Sequence, residues 1–136
     1  MVEKDFDTVR AVWIASGIEL TTSDEYSELL RMIRRNPDYC FVLEVENELI
    51  GAVLGGYDGR RGWIHHLAVH PAHQKKGYGK LLLNEVIDSF ERDKIVKIKL
   101  EVLESNNKVI EFYKMQGWDL RSEITTMSMN LPRLKE

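Results

Sequence analysis

The stretch LAVHPAHQKKGYGKLLLNEV, Leu67 to Val86, passes from a strand through a glycine-spaced basic loop into an amphipathic helix. The strand, Trp63 to Val69, halts at His70-Pro71, and the helix carries Leu82, Leu83, Val86, Ile87 and Phe90 on one face. Such a passage is a physical recipe for holding phosphate. The first turn of a helix leaves backbone N–H groups unpaired, and the helix dipole favours an anion there. Gly77 and Gly79 lack Cβ atoms, so a pyrophosphate can come close to the amides, and Gly77→Val is expected to crowd them. Gln74, Lys75, Lys76 and Lys80 add donors and charge. The competing reading is a plain helix start behind a solvated basic loop. Two other phosphate motifs are excluded. Gly51 to Gly56 is followed by Tyr57 where a P-loop needs lysine, and Gly77-Tyr78-Gly79-Lys80-Leu81-Leu82 has leucine where a dinucleotide fingerprint needs its third glycine.

Upstream, Asp5 or Asp7 caps a first helix with Phe6, Val9 and Trp13 on its apolar face, ended by Gly17. A second helix opens at a capping box, Thr22 with Glu25, carries Tyr26, Leu29, Leu30 and Ile33, and stops at Asn36-Pro37. Residues 39–45 and 49–57 read as strands joined by a tight turn at Glu46-Asn47, and Asp58-Gly59 marks the next turn. Downstream, residues 95–103 alternate, with Val96, Ile98, Leu100 and Val102 opposite Lys97, Lys99 and Glu101. Asn106 or Asn107 caps a fourth helix through Val109, Phe112 and Tyr113, and Gly117 ends it. Ile124 to Leu131 reads as a last strand. The order α-α-β-β-β-α-β-α-β predicts a single α+β domain over residues 1–136, a mixed sheet in three α/β/α layers with about four helices.

Of the 136 residues, 43% are hydrophobic and 30% charged, the balance of a soluble globular chain. A net charge of −3 offers no general attraction to nucleic acid or to an anionic membrane, so an anion needs a local site. The single cysteine, Cys40, has no partner for an internal disulfide and suits a buried thiol in a reducing cytoplasm. No apolar run has the length of a membrane span.

Leu67 to Val86 resembles motif A of the GNAT acyltransferase superfamily, Q/R-x-x-G-x-G/A after a strand that ends in a V-x-P turn. NNKVIEFYKMQGW, Asn106 to Trp118, resembles that family's second signature, an asparagine seven residues before a tyrosine and then a glycine with an aromatic. The resemblance covers about residues 5–130. It is similar in detail to small bacterial members of unknown substrate and, through Glu101-Val102, Asn106 and Tyr113, to the ribosomal-protein alanine acetyltransferases. It implies a mainly antiparallel mixed sheet whose first edge strand is here short or missing, since only Met1 to Lys4 precede Asp5. It also implies acetyl-CoA as acyl donor, a primary amine as acceptor, no metal, and a homodimer as the family-level expectation.

Residue by residue, the resemblance implies that the pantetheine arm pairs with the backbone of Leu67, Ala68 and Val69. The amides from Lys75 to Lys80, Tyr78 among them, hold the pyrophosphate, and Asn106 touches the arm from the other side. Tyr113 is the proton donor to the departing thiolate. The base stays open. An ammonium must first lose a proton, with a pKa of about 10.4 for lysine and about 7.7–8.0 for an α-amine. Glu101 matches the base position of the alanine acetyltransferase branch. His65 and His66 are rivals that strand alternation sends to opposite faces, and a water chain is a fourth solution. Although His65, His66, His70 and His73 lie close together, no accompanying HExxH or cysteine pattern supports a metal site. Acceptor selection is expected from the first two helices, from their connecting loop Gly17 to Asp24 with the acidic Glu19 and Asp24, and from the loop Asp58-Gly59-Arg60-Arg61. Solvated surface charge is the equal competing reading of these residues. The rival function is a non-catalytic acyl-CoA-binding sensor or interaction protein on the same fold.

Overall fold

A computed structural model describes residues 1–132 of the chain. Its contacts divide into two compact units, Met1–Leu100 and a second that begins at Glu101. In the first unit α1 (Phe6–Ala15) and α2 (Tyr26–Arg35) precede β1 (Phe41–Val45), β2 (Glu48–Tyr57) and β3 (Gly62–Val69), followed by α3 (Tyr78–Arg92) and β4 (Ile98–Leu100). The second unit carries α4 (Asn107–Met115). The sheet runs β1-β2-β3-β4, antiparallel at the first two pairings and parallel at the third. The α+β class with a mixed, mainly antiparallel sheet is therefore borne out.

Local chemistry accounts for the element ends. Gly17, at φ +88°, closes α1 as the amides of Gly17 and Ile18 turn back to the carbonyls of Ile14 and Trp13. Asn36 ends α2 and ties it to the sheet, donating to Met32 O (3.2 Å) and accepting from Tyr57 N (3.1 Å). Glu46 and Asn47, at φ +51° and +66°, make the two-residue turn that matches strand twist.

On one face of the sheet, Phe6, Val9 and Trp13 of α1 and Leu29 of α2 bury against Cys40, Ala52, Leu54 and Ala68. Each large apolar side chain so buried contributes about 1.5–3 kcal/mol before entropy is counted. On the other face α3 lies on glycines. A Cβ at Gly51 would sit 2.9 Å from Leu82, one at Gly55 3.1 Å from Val86, and one at Gly62 3.0 Å from the Phe90 ring. Residues 82, 86 and 90 recur every four along α3, so one stripe of the helix settles close to the sheet, which fixes where its N-terminus stands.

Several expectations are corrected. Before α2, the amide of Thr21 donates to Asp24 Oδ2 at 2.9 Å, one residue earlier than the capping box read at Thr22, and the helix itself begins at Tyr26. The fourth strand is only Ile98–Leu100, not 95–103, because β3 offers it just Gly62, Trp63 and Ile64. Beyond them β3 bulges: His66 and Leu67 together oppose Val53, and His66 takes φ +51°. The last strand expected at 124–131 does not form. Met127, Met129 and Leu131 keep the two-residue period but are exposed, and period alone cannot make a strand without a ladder. Residues 3–5 form a 3-10 turn, and no strand precedes α1 among the described residues.

Candidate functional site

The segment from Leu67 to Lys80 is assembled within the first unit. His70 N donates to Ile50 O at 2.7 Å, so His70 faces β2, and alternation turns the peptide groups of Leu67 and Val69 to the opposite edge. On that edge the β3–β4 ladder has ended at Ile64 and Leu100, and Leu67 to Val69 have no strand beside them among the described residues. Leu67 is half-buried, while Ala68 and Val69 are buried. The carbonyl of Val69 is already engaged, accepting from Ser16 Oγ (3.0 Å) and Gln74 Nε2 (2.8 Å). Gln74 thus anchors the loop to the strand end, a role its sequence position did not reveal.

After a 3-10 turn at Pro71–His73, in which His70 Nδ1 accepts from Ala72 N (3.1 Å), the chain reverses through left-handed residues at Lys75 (φ +65°) and Gly77 (φ +82°). Gly77 is the N-cap of α3. It has no side chain to cap with, and its carbonyl takes the amide of Leu81 at 3.1 Å. The amides of Tyr78, Gly79 and Lys80 belong to the first turn and have no intrahelical acceptor. Lys75, Lys76 and Lys80 are exposed around them. The crowding expected of a Cβ at Gly77 is not what the structure imposes, since nothing lies within 4 Å of that position; left-handed backbone is what demands glycine. Unpaired amides, a φ-positive turn and three cations suit a pyrophosphate, and an open strand edge suits an extended amide-bearing arm. These residues therefore fit coenzyme A.

In the second unit Asn106 Oδ1 caps α4 through Val109 N (3.4 Å), and Gly117, at φ +92°, ends the helix with Trp118 N returning to Tyr113 O at 3.0 Å. Tyr113 is buried, with Phe112 and Trp118 edge-on at 5.2 and 5.5 Å between ring centres. Burial pushes its phenol far above the ordinary tyrosine value, so it stays protonated throughout the neutral range. Glu101 is exposed and lies just past β4.

The bulge overturns the alternation argument for the histidines. His65 stands opposite Leu54, and Leu54 faces α1 and α2. His66 reaches the same helical side, its ring 4.9 Å from that of Trp13 and its Nε2 2.8 Å from Asp24 Oδ1. Asp24 is 3% exposed, so the acidic residue expected to greet a cationic acceptor is instead the buried partner of a histidine. A buried carboxylate left without such a partner costs about 3–5 kcal/mol. Nothing in the sequence joins two residues 42 positions apart, which is why the pair was missed. Arg60 and Arg61 give their backbone amides to Asp58, and those bonds hold its carboxyl below the usual range. A shallow cleft of about 430 Å³ lined by Lys4, Asp5, Thr8, Glu44, Glu48 and His70 contains none of the residues from Gln74 to Lys80. Among the described residues, no three His, Cys, Asp or Glu side chains are grouped as metal ligands, and no helix is long and apolar enough to cross a membrane.

The sequence profile of the acetyltransferase (GNAT) family matches residues 6–118. The chain belongs to the GNAT family. It is 32% identical over 123 residues to an acetyltransferase of Pectobacterium atrosepticum, covering 90% of this chain and 87% of that one. A PaiA N-acetyltransferase from Thermoplasma acidophilum, solved in complex with coenzyme A, is similar in fold at TM-score 0.80 and 20% identity, over 89% of this chain and 87% of that one. Naa50 of Arabidopsis thaliana, solved with the bisubstrate analogue CoA-Ac-MVNAL, is similar at TM-score 0.74 and 20% identity, over 90% and 82%. This GNAT protein is an acetyl-CoA-dependent N-acetyltransferase.

Proposed function

We propose that the protein moves an acetyl group from acetyl-CoA directly to a primary amine, within a single domain that works in a reducing cytoplasm. The observation that carries this reading is the open edge of β3 running into the left-handed turn and free amides of α3. Leu67 to Val69 would hold the pantetheine arm by backbone pairing, with the arm's donors and acceptors facing Leu67 and the Val69 amide, since the Val69 carbonyl is engaged. The amides from Lys75 to Lys80, with Gln74 at the start of the turn, would hold the pyrophosphate, and Asn106 would touch the arm. When bound, acetyl-CoA supplies an activated acyl group. Tyr113 Oη would then give a proton to the departing sulfur, a role that its spacing from Asn106 and Gly117 supports. Peptide α-amines lead the acceptor classes, by analogy with the bisubstrate analogue bound by the Naa50 relative.

The test is thermal unfolding with acetyl-CoA against adenosine, followed by detection of acetylated product on a panel comprising a peptide with a free N-terminus, lysine and a polyamine. A rise in Tm with acetyl-CoA alone and product on one amine are expected. A rise without product on any amine would favour a non-catalytic acyl-CoA sensor; no rise at millimolar acetyl-CoA would remove the reading.

A further inference from the structure

We propose that His66 is the group that takes the proton from the acceptor ammonium and that Asp24 positions it. The proposal rests on the acetyl-transfer reading and deepens it by naming the base. Asp24 is enclosed, its side chain 4% exposed, with Oδ2 taking the amide of Thr21 at 2.9 Å and Oδ1 meeting His66 Nε2 at 2.8 Å. A carboxylate has only acceptors to offer, so Nε2 carries the hydrogen and the lone pair of the neutral imidazole is on Nδ1. The Trp13 ring, 4.9 Å away and tilted by 59°, packs against the imidazole and limits its rotation.

Position supports the role as much as chemistry. His66 occupies the bulge, at φ +51°, and is bonded to Leu67, whose peptide groups face the strand edge assigned to the acyl donor's arm. Its side chain is 27% exposed, so a small amine can reach a ring whose carboxylate partner is sealed from water. Around it, the turn before α2 contributes Asp24, α1 contributes the neutral Trp13 with Arg10 a turn earlier, and β2 places Val53 opposite. His65, next along β3, stacks on Trp63 instead.

In the proposed step, His66 Nδ1 takes one proton from R–NH3+, and Asp24 stabilises the resulting imidazolium. The freed lone pair forms the C–N bond as the C–S bond breaks. The thiolate leaves with the proton that the proposed function supplies, the nitrogen gives its second proton to water, and His66 finally releases its own to water.

Two measurements on the full chain test the proposal. Nitrogen-detected NMR of the free protein should find neutral His66 with its hydrogen on Nε2, a preference that Asp24→Asn removes. His66→Asn tolerates positive φ, so the bulge is kept while the proton acceptor is lost. With acetyl-CoA and the amine that responds in the panel, this variant should lose about 100-fold in kcat at neutral pH. The acid limb of its pH profile should flatten, and its thermal shift with acetyl-CoA should match the wild type. Asp24→Asn should move that limb with a smaller loss. An unchanged kcat and pH profile in a folded His66→Asn that still shifts with acetyl-CoA would overturn the proposal and leave acetyl transfer intact. So would finding the hydrogen on Nδ1 in the wild type, which decides the matter even if Asp24→Asn does not fold. A wild type with neither thermal shift nor product overturns both readings.

Discussion

At the scale of single residues, protonation and backbone angle decide what each position can do. Burial keeps the Tyr113 phenol protonated, as the proposed leaving-group acid must be before it acts. Tyr113→Phe should lower kcat by about 100-fold with little change in acetyl-CoA affinity, which steady-state kinetics and a binding titration separate. Tyr39 is pushed up to about 12, first by desolvation and then by its hydrogen bond to Asp93. Its folded value lies above the unfolded value of about 10, so its contribution to stability is complete below that pH and is lost as pH climbs through about 12. Urea unfolding across that alkaline window should show the loss in the wild type and a flatter profile in Tyr39→Phe. Gly77 illustrates the angle. Valine there meets open space but must adopt left-handed backbone, at a cost of about 1–2 kcal/mol. Gly77→Val should weaken acetyl-CoA binding, and Gly77→Asn, which tolerates φ above zero, should keep most of it in the same calorimetric titration.

Among elements, the decisive contact is α3 on its glycines. A Cβ at Gly55 would lie 2.6 Å from the carbonyl oxygen of Tyr39, a backbone atom that cannot swing aside. Gly55→Ala should therefore destabilise the fold by about 1–3 kcal/mol in urea unfolding, through overpacking in a filled core. The stripe Leu82, Val86 and Phe90 was legible as the apolar face of a helix. The glycines that receive it were not, because sheet register decides which strand residues face α3. Register also hid the bulge: His65-His66 reads as an ordinary alternating pair until two residues oppose one. The fourth strand is shorter than its alternation for a related reason, since the pattern runs past the three residues that β3 pairs.

For the whole molecule, function should be visible as linkage between donor and folding. Each tenfold rise in acetyl-CoA above its dissociation constant should add about 1.4 kcal/mol, a further few degrees in Tm at each step. A plateau at low ligand, or an equal response to adenosine, would mean that acetyl-CoA is not binding the native chain at this turn. The family match spans residues 6–118 and so takes in residues of both compact units. The kinetic variants are therefore best made in the full chain.

Local chemistry was enough for the class of fold and the placing of most elements, because helix periods, turn residues and the Gln74 to Gly79 loop act over a few neighbours. The family resemblance, carried by short motifs, is what pointed to the proposed acyl-donor segment and to Tyr113. Only the tertiary structure decided that Asp24 is buried against His66, that Val69's carbonyl is engaged by Ser16 and Gln74, and that β4 stops at Leu100. Each of those depends on register and burial between distant segments, and a carboxylate or a carbonyl finds its partner only once the sheet and helices have brought them together.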